Sequence, residues 1–403
     1  MRIALFHNLP SGGAKRHTRE QARELARRGH EVVEVRPSTA DVEFCPLRPY
    51  VAEERVFPAP PPAAPARRIP FVTPYLHALQ GLAALRGVDR LHRRIAAAID
   101  ADGFDVVLAQ DCRIAMTPYL MRHLHTGSVF FCHHGFSHWR PVPGLAATWR
   151  DAVKARYYAP ARFLFARVMS RDERRNAQCA AQVLTASEFG RAEIRAHYGV
   201  DAVVVGAGVD GAIFTPTAAS KADYVLSVGE LRAQKDYPFL IAALGALDAR
   251  WRPRLVIAAN AEQPGEAAAV RRLAATRGVV VEITRAADDA ALAALYAGAR
   301  LFVYAPRSEM LGMACLEAMS CGTPVVAVRD GGVPETVVDS VTGSLTERDP
   351  RAFAVALEAL LADGARRERM GVAAAAHVRA AWSWQRTGER VEAALAREVG
   401  HRR

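Results

Sequence analysis

The sequence predicts an α/β protein of two domains, each built on a parallel sheet, and three observations carry that expectation. Short apolar runs bounded by turn residues alternate with stretches of helical composition along the chain. Several runs, such as residues 2–7 (RIALFH), 301–305 (LFVYA) and 323–328 (TPVVAV), are apolar with little alternation, as in strands buried on both faces. With 403 residues, 51% of them hydrophobic, the chain has material for two cores of ordinary size.

Residues 2–7 read as a first strand. The turn at 9–13 (LPSGG) leads into a helix over 14–28, which Gly29 and His30 end before a second strand at 31–35. Paired glycines at such a turn, Gly12 and Gly13, let the backbone approach a phosphate or sugar closely. Arg19, Arg23 and Arg27 recur on one face of that helix. Residues 58–65 (PAPPPAAP) form a polyproline-like surface loop without chemistry of its own. Residues 75–101 read as helical with breaks at Gly81 and Gly87, and 104–109 and 128–132 as buried strands. The second of these strands delivers His133, His134 and Gly135 at its carboxyl end, where sheets of this class place ligands. A histidine there is also a common satisfied structural residue. Residues 149–179 are helical and basic, with Lys154, Arg156, Arg162, Arg167, Arg171, Arg174 and Arg175 interleaved with aromatic residues. Such a stretch suits either an anionic membrane surface or an ordinary solvated helix face. A strand at 182–187 and a helix at 188–198 follow.

The second half opens with a strand at 224–228 that ends in Gly229. Arg232 and Lys235 come next, and two cations beside a strand-ending glycine can neutralise a diphosphate. Further strands are expected at 255–259 and 279–283, the latter followed by Thr284 and Arg285. Residues 301–328 then give strand, loop, helix, glycine stop and strand in unbroken succession. Their loop, 306–312 (PRSEMLG), lies at the carboxyl end of a strand and feeds a helix amino terminus, where free N–H groups and the helix dipole receive an anion. Glu309 and Glu317, with seven residues between them, can face one pocket. Carboxylates so placed repel phosphate but accept hydrogen bonds from sugar or ribose hydroxyls. Spacing alone equally permits a loop charge and a solvated helix glutamate.

Charge is distributed unevenly. Residues 1–200 hold 29 Lys and Arg against 18 Asp and Glu, whereas 201–403 hold 24 of each, so the net +11 belongs to the first half. An anionic partner is expected for that half, either a membrane surface or an acidic acceptor. Nucleic acid is disfavoured because the basic half carries no recognisable binding module. No apolar run approaches the roughly 18–20 residues of a membrane span, and the opening residues read as a strand rather than a signal peptide. The six cysteines form no C-x-x-C pair and lie in or beside apolar segments, so neither disulfides nor zinc is expected. A cytoplasmic setting follows, with peripheral contact on the inner face of the cytoplasmic membrane as an extension.

In context the central stretch is more specific. Ser308-Glu309 before Gly312, then Leu316-Glu317-Ala318-Met319, then Cys321-Gly322-Thr323-Pro324-Val325-Val326 closely resemble the E-x7-E signature of retaining family 4 glycosyltransferases with the GT-B fold. The opening NLPSGGAKRH, the passage Gly206-Ala207-Gly208-Val209-Asp210 with Phe214-Thr215-Pro216, Gly229 to Asp236, Asp330-Gly331-Gly332-Val333-Pro334-Glu335 and Trp382-Ser383-Trp384 are similar to corresponding parts of that family. The resemblance spans nearly the whole chain, strongest over 223–346 and weakest over 37–127. It implies two Rossmann-like domains facing a central cleft: an acceptor-side domain over 1–208, a nucleotide-sugar domain over 209–383, and a terminal helix, 384–403, crossing back onto the first.

The same resemblance implies transfer of a hexosyl unit, with retention, from a nucleotide sugar to a glycan, lipid-linked or small-molecule acceptor, without a metal or bound cofactor. It assigns Glu309 to the transferred sugar and Glu317 to the ribose. Arg232 and Lys235 go to the diphosphate, and Gly12, Gly13, Thr284, Met310, Leu311, Gly312 and Met313 to the donor. His133 is assigned to the sugar, with His134 as the alternative. Two departures stand out: Glu230 occupies a position where many members have arginine, so Arg232 must substitute, and no glycine accompanies Thr284 and Arg285, which leaves the base open. Other readings are a GT-B sugar-nucleotide epimerase, a glycan phosphorylase and a catalytically silent sugar-nucleotide-binding protein.

Overall fold

A computed structural model describes residues 1–59, 73–134, 149–217 and 220–402. Residues 60–65 of the polyproline-like stretch, Gly135 and the Lys154 side chain lie outside the described residues. The chain forms two α/β units. The first contains β1 (Arg2–Asn8), α1 (Gly13–Arg27), β2 (Glu31–Pro37), β3 (Glu53–Phe57), α2 (Thr73–Asp100), β4 (Val106–Cys112), β5 (Ser128–Phe131), α3 (Trp149–Cys179), β6 (Gln182–Thr185), α4 (Glu188–Tyr198) and β7 (Ala202–Val204). In the second are β8 (Tyr224–Val228), α5 (Tyr237–Gly245), β9 (Arg254–Ala258), α6 (Glu266–Thr276), β10 (Val281–Thr284), α7 (Asp289–Gly298), β11 (Leu301–Tyr304), α8 (Met313–Ser320), β12 (Val325–Val328), α9 (Val333–Thr336), β13 (Gly343–Thr346), α10 (Pro350–Ala362) and α11 (Gly364–Ala381). The last helix, α12, spans Trp384–Arg402.

Both sheets are parallel, with orders β3-β2-β1-β4-β5-β6-β7 and β10-β9-β8-β11-β12-β13. The strand order therefore reverses between β1 and β4 in one sheet and between β8 and β11 in the other. At such a reversal successive connections leave to opposite faces, opening a crevice at the carboxyl ends of the strands. The expectation of strands buried on both faces holds residue by residue. Ile3 and Leu5 of β1 pack into one core cluster and Ala4 and Phe6 into another; Phe302 and Tyr304 of β11 separate in the same way from Leu301 and Val303.

Three differences from the sequence reading have physical causes. The helix expected to break at Gly81 and Gly87 is continuous, and Gly81 marks a close approach of helices instead: a Cβ there would lie 2.7 Å from Phe165 Cε2 on α3. Strand β3 escaped the sequence reading because it is an edge strand with charged residues, paired on one side only, to β2. Strand β7 escaped because it is three residues long.

Two strands of chain join the units, at 205–214 and at 381–384, and they touch. Val209 N–H donates to Trp382 O at 3.2 Å, and a Cβ on Gly208 would fall 2.2 Å from Trp384 N. Helix α12 then lies on the first sheet, burying Val391, Ala394 and Leu395 with Leu5, Val106 and Val129. Arg28 and His30 of the first unit meet Glu392 at 3.1 and 2.7 Å. Leu395→Ala should therefore destabilise the first unit by roughly 2–5 kcal/mol through lost burial and the cavity left behind. Denaturant unfolding of variant and parent measures it, and a change near zero would mean that α12 is not part of that core.

Candidate active site

The second unit builds one wall of the crevice. Gly229, at the end of β8, has φ +154°, and a Cβ there would meet Lys235 Cε at 3.0 Å, because the lysine stem lies across it. That path brings Lys235 Nζ to 2.7 Å from Glu309 Oε2 and 3.0 Å from the Tyr304 hydroxyl, which itself donates to Glu309 Oε2 at 2.9 Å. Burial pushes the Glu309 carboxyl up, but Lys235 and the Tyr304 hydrogen bond outweigh it and hold the group below its ordinary value.

The loop carrying Glu309 is shaped from several sides. Arg348 donates to Ala305 O at 3.0 Å and to Pro306 O, and reaches Asp236 at 2.9 Å and Asp330 at 2.8 Å. Ser308 takes φ +52° while its N–H donates to Asp330 Oδ1 at 2.7 Å. Gly331 and Gly332 press against the loop backbone: a Cβ on either would fall 2.2 Å from Glu309 O or 2.3 Å from Met310 O. Only glycine permits that approach.

The opposite wall comes from α1 and the turn before it. Gly12 has φ +142° and faces Glu230, while Gly13 faces Met313. Arg16, nearly buried, ion-pairs with Asp289 at 2.6 Å and approaches Glu317 Oε1 at 3.5 Å; Glu317 Oε2 accepts from the Tyr296 hydroxyl at 2.9 Å. Burial raises the Glu317 carboxyl above its ordinary value, and Arg16 and Tyr296 counter only part of that rise.

Between the walls lies a cleft of about 850 Å³. Of the residues singled out from sequence, Gly12, Gly13, Arg232, Lys235, Glu309, Met313 and Glu317 line it. Arg232 is half exposed and ion-paired to Glu230, which occupies the place of the arginine that Arg232 was expected to stand in for. Met310, Leu311 and Gly312 stand behind the wall. Met310 O accepts the Ser187 hydroxyl from the other unit, Leu311 is core, and Gly312, at φ +95°, is the N-cap of α8. Thr284 closes β10, its carbonyl taking the Ala259 N–H at 2.9 Å, and the lining begins one residue later with Arg285.

Neither His133 nor His134 is among the lining residues. His133 stacks on Phe131, and its Nε2–H donates to Gln110 Oε1 at 2.6 Å; burial, with His17 and His134 nearby, holds it well below the ordinary histidine value. Polar contacts continue from Gln110 to Gln21 at 2.8 Å, from Gln21 to His17 at 3.2 Å, and from His17 to Gly206 O at 3.2 Å in the linker. His134 points elsewhere, to Asp111 at 3.0 Å and Tyr198 at 2.6 Å. Asp111, Cys132 and His134 hold their ligand atoms within 4.8 Å of one another, and among the described residues they are the group able to take a metal ion. They do not line the cleft. Sequence reasoning missed Arg16, Asp289, Tyr296, Tyr304 and Arg348. None of these carried a local signal: Arg16, three residues after Gly13, is one of several arginines on a basic helix.

Residues 11–212 match the family model for Glycosyltransferase Family 4, and residues 197–377 that for Glycosyl transferases group 1. The chain belongs to glycosyltransferase family 4. Among its relatives, the D-inositol 3-phosphate glycosyltransferase of Pseudarthrobacter chlorophenolicus is 35% identical over 254 residues, 57% of this chain and 60% of that one. A GDP-mannose-dependent monoacylated alpha-(1-6)-phosphatidylinositol monomannoside mannosyltransferase of Corynebacterium glutamicum is 42% identical over 113 residues, 28% of each chain. The chain spans about half the length of the curated relatives it matches. Two solved structures have the same two-domain GT-B fold. Anabaena HepE in complex with UDP-glucose aligns at TM-score 0.74 and 17% identity over 98% of this chain and 99% of its own. Sucrose-phosphate synthase of Thermosynechococcus elongatus aligns at TM-score 0.72 and 20% identity over 100% of both. In this family 4 chain the E-x7-E glutamates face one cleft from a shared loop and helix.

Lys235→Met should release Glu309 to its burial, so that its carboxyl titrates above the ordinary range instead of below it. Carbon-detected NMR titration reads the shift. The sign follows from linkage: with Lys235 present, the pair stabilises the fold above the unfolded-state carboxylate pKa, and that contribution is lost as pH falls through the depressed folded value. An unmoved Glu309 titration in the variant would show that the pair is not what sets it.

Proposed function

We propose that this chain is a retaining hexosyltransferase that moves a sugar from a nucleoside diphosphate to a glycan, lipid-linked or small-molecule acceptor. One observation carries the reading: Glu309 and Glu317 open on a single cleft together with Lys235, Arg232 and the start of α8. A diphosphate at that helix start meets free N–H groups and two side-chain cations, which stabilise the negative charge that grows as the sugar departs. That role requires no metal. Glu317 accepts hydrogen bonds from ribose hydroxyls alongside Tyr296 and Arg16, since a carboxylate has acceptor sites to spare. Glu309 faces the sugar, where a carboxylate opposes the positive charge developing at the anomeric carbon. The names of the relatives and the UDP-glucose held by HepE support a nucleotide-sugar donor.

A thermal-shift screen of nucleotide sugars tests donor and base together, since a ligand binding only the folded state raises its stability. Slow donor hydrolysis without acceptor separates a transferase from a silent binder, and NMR of the product anomer decides retention; an inverted product overturns it. Glu317→Ala should lower nucleotide affinity about tenfold or more, because a hydrogen bond to a charged group contributes roughly 1.5–3 kcal/mol. Unchanged affinity by calorimetry would remove Glu317 from the ribose.

Glu309→Gln should act on turnover, by about 100-fold or roughly 2.7 kcal/mol, with far less effect on diphosphate affinity, the pattern of a contact made mainly in the transition state. His133→Ala should also lower turnover more than affinity, acting from behind the wall through Gln110 and α1. Near-normal turnover of folded Glu309→Gln would overturn its catalytic assignment, and near-normal turnover of folded His133→Ala would overturn its positioning role, while leaving the enzyme class standing.

A further inference from the structure

We propose that α2 and α3 together form a platform that seats the first unit on an anionic lipid bilayer, which makes a lipid-linked molecule the acceptor of the cleft. The first observation is exposed apolar surface. Of fifteen exposed large hydrophobic side chains among the described residues, seven lie on these two helices, and the other eight are all Val or Ile. Leu79 and Phe163 are each 61% exposed and Leu164 is 57% exposed. Val153, Tyr157, Leu164 and Val168 recur at spacings of four, seven and four, so they share one side of α3. Water-facing Leu and Phe concentrated on one element mark an interaction surface.

The second observation is charge. Residues 152–171 contain no Asp or Glu but carry Lys154, Arg156, Arg162, Arg167 and Arg171. Elsewhere in this unit Arg16, Arg19, Arg23, Arg28 and Arg36 are committed to ion pairs within the fold. Among the described residues Arg156, Arg162, Arg167 and Arg171 are in no ion pair within the fold, so unpaired cations share the helix of the apolar ridge, and Arg167 lies 5.7 Å over the Phe163 ring. An apolar protein partner would match the ridge and leave the cations facing nothing. Acyl chains bordered by anionic headgroups match both.

The third observation ties the platform to the cleft. Beneath it, Leu82 and Leu85 of α2 and Phe165 of α3 pack on Cys112, Ala115 and Tyr119. Met116, within that same segment, lines the cleft. A bilayer against α2 and α3 is therefore one short segment away from the acceptor-side rim. The acceptor clause rests on the transferase reading; the docking does not.

Co-sedimentation of the full chain with phosphatidylcholine vesicles, with and without phosphatidylglycerol, tests the proposal. Binding should require the anionic lipid, weaken with salt as exposed charges are screened, and keep an apolar remainder at physiological ionic strength. Phe163→Ser with Leu164→Ser should weaken it about tenfold or more, as should Arg162→Ser with Arg167→Ser. Both double variants should keep the melting temperature and nucleotide affinity of the parent, since these side chains are exposed and outside the cleft. Failure of the parent to bind anionic vesicles at low salt overturns the docking, as does unchanged binding of the Phe163/Leu164 variant. A dimer in solution broken by those same substitutions overturns it too, by assigning the ridge to a second copy. Nucleotide-sugar hydrolysis measured alongside reads the transferase proposal separately: its absence overturns the acceptor clause alone.

Discussion

Arg16 is a nearly buried cation that two domains must share. Carried on the first helix of one sheet, it meets Asp289 and Glu317 of the other, with the Phe44 and Phe214 rings within 6 Å. Withdrawing three charges from water is unfavourable, and in a protein interior mutual attraction compensates only when the geometry is good. The penalty shows at Glu317, where burial leaves the carboxyl raised despite both of its partners. Such a cluster contributes little net stability but is intolerant of separation, because removing one member leaves the others buried and unpaired. What it specifies is how the walls meet. Ser187, which caps α4 and donates to Met310 O across the seam, and Glu335, whose carboxylate accepts the Glu188 and Phe189 N–H groups at 2.8 Å each, hold the same arrangement from the far side.

With the walls fixed, the Glu309 loop gains from being over-determined. Arg348, Asp330 and the two glycines after it leave Glu309 little freedom, so its carboxylate stays aimed at the cleft at no further entropic cost on ligand binding. Lys235 is the adaptable member. Its ammonium has three donors on a flexible stem, and in this state two of them serve Glu309 and Tyr304. A diphosphate arriving at α8 can claim one donor without breaking the carboxylate pair. Under the proposed transferase reading, Glu309 would keep its ammonium partner, and so its charge, with a donor in the cleft.

The legible part of the sequence was the part whose causes are local. Apolar runs, turn glycines and helix stops are short-range signals, and the two-sheet architecture and most strand positions followed from them. The approach of Glu309 and Glu317 was legible for the same reason: seven residues on one loop and helix keep them neighbours. Arg16 and Asp289 lie 273 residues apart, and nothing local distinguishes Arg16 from Arg19 or Arg23 on the same basic helix. Gly81 misled because glycine's low helix propensity is a local signal, while its use here, admitting Phe165, is tertiary. Met310 and Leu311 belonged to the motif but were drawn into the core by their own apolarity. Proximity to the site in sequence overstated proximity in space for these two residues, whereas the equally apolar Met313 does line the cleft.

Summed charge misleads in a related way. The +11 of the first half suggested one basic surface, yet much of it is internal bracing: Arg19 and Arg23 grip Glu20, Arg28 grips Glu392, and Arg23 also holds Asp210 in the linker at 2.7 Å. An arginine in a buried or half-buried pair presents little field to a partner, because its charge is cancelled within a few ångströms, well inside the roughly 8 Å over which salt screens the remainder. What a partner feels is the subset without nearby carboxylates, and α3 supplies part of it: residues 152–171 contain no Asp or Glu, and Arg156, Arg162, Arg167 and Arg171 are in no ion pair among the described residues. Position relative to acidic neighbours, rather than the total, decides which face of this domain attracts an anion.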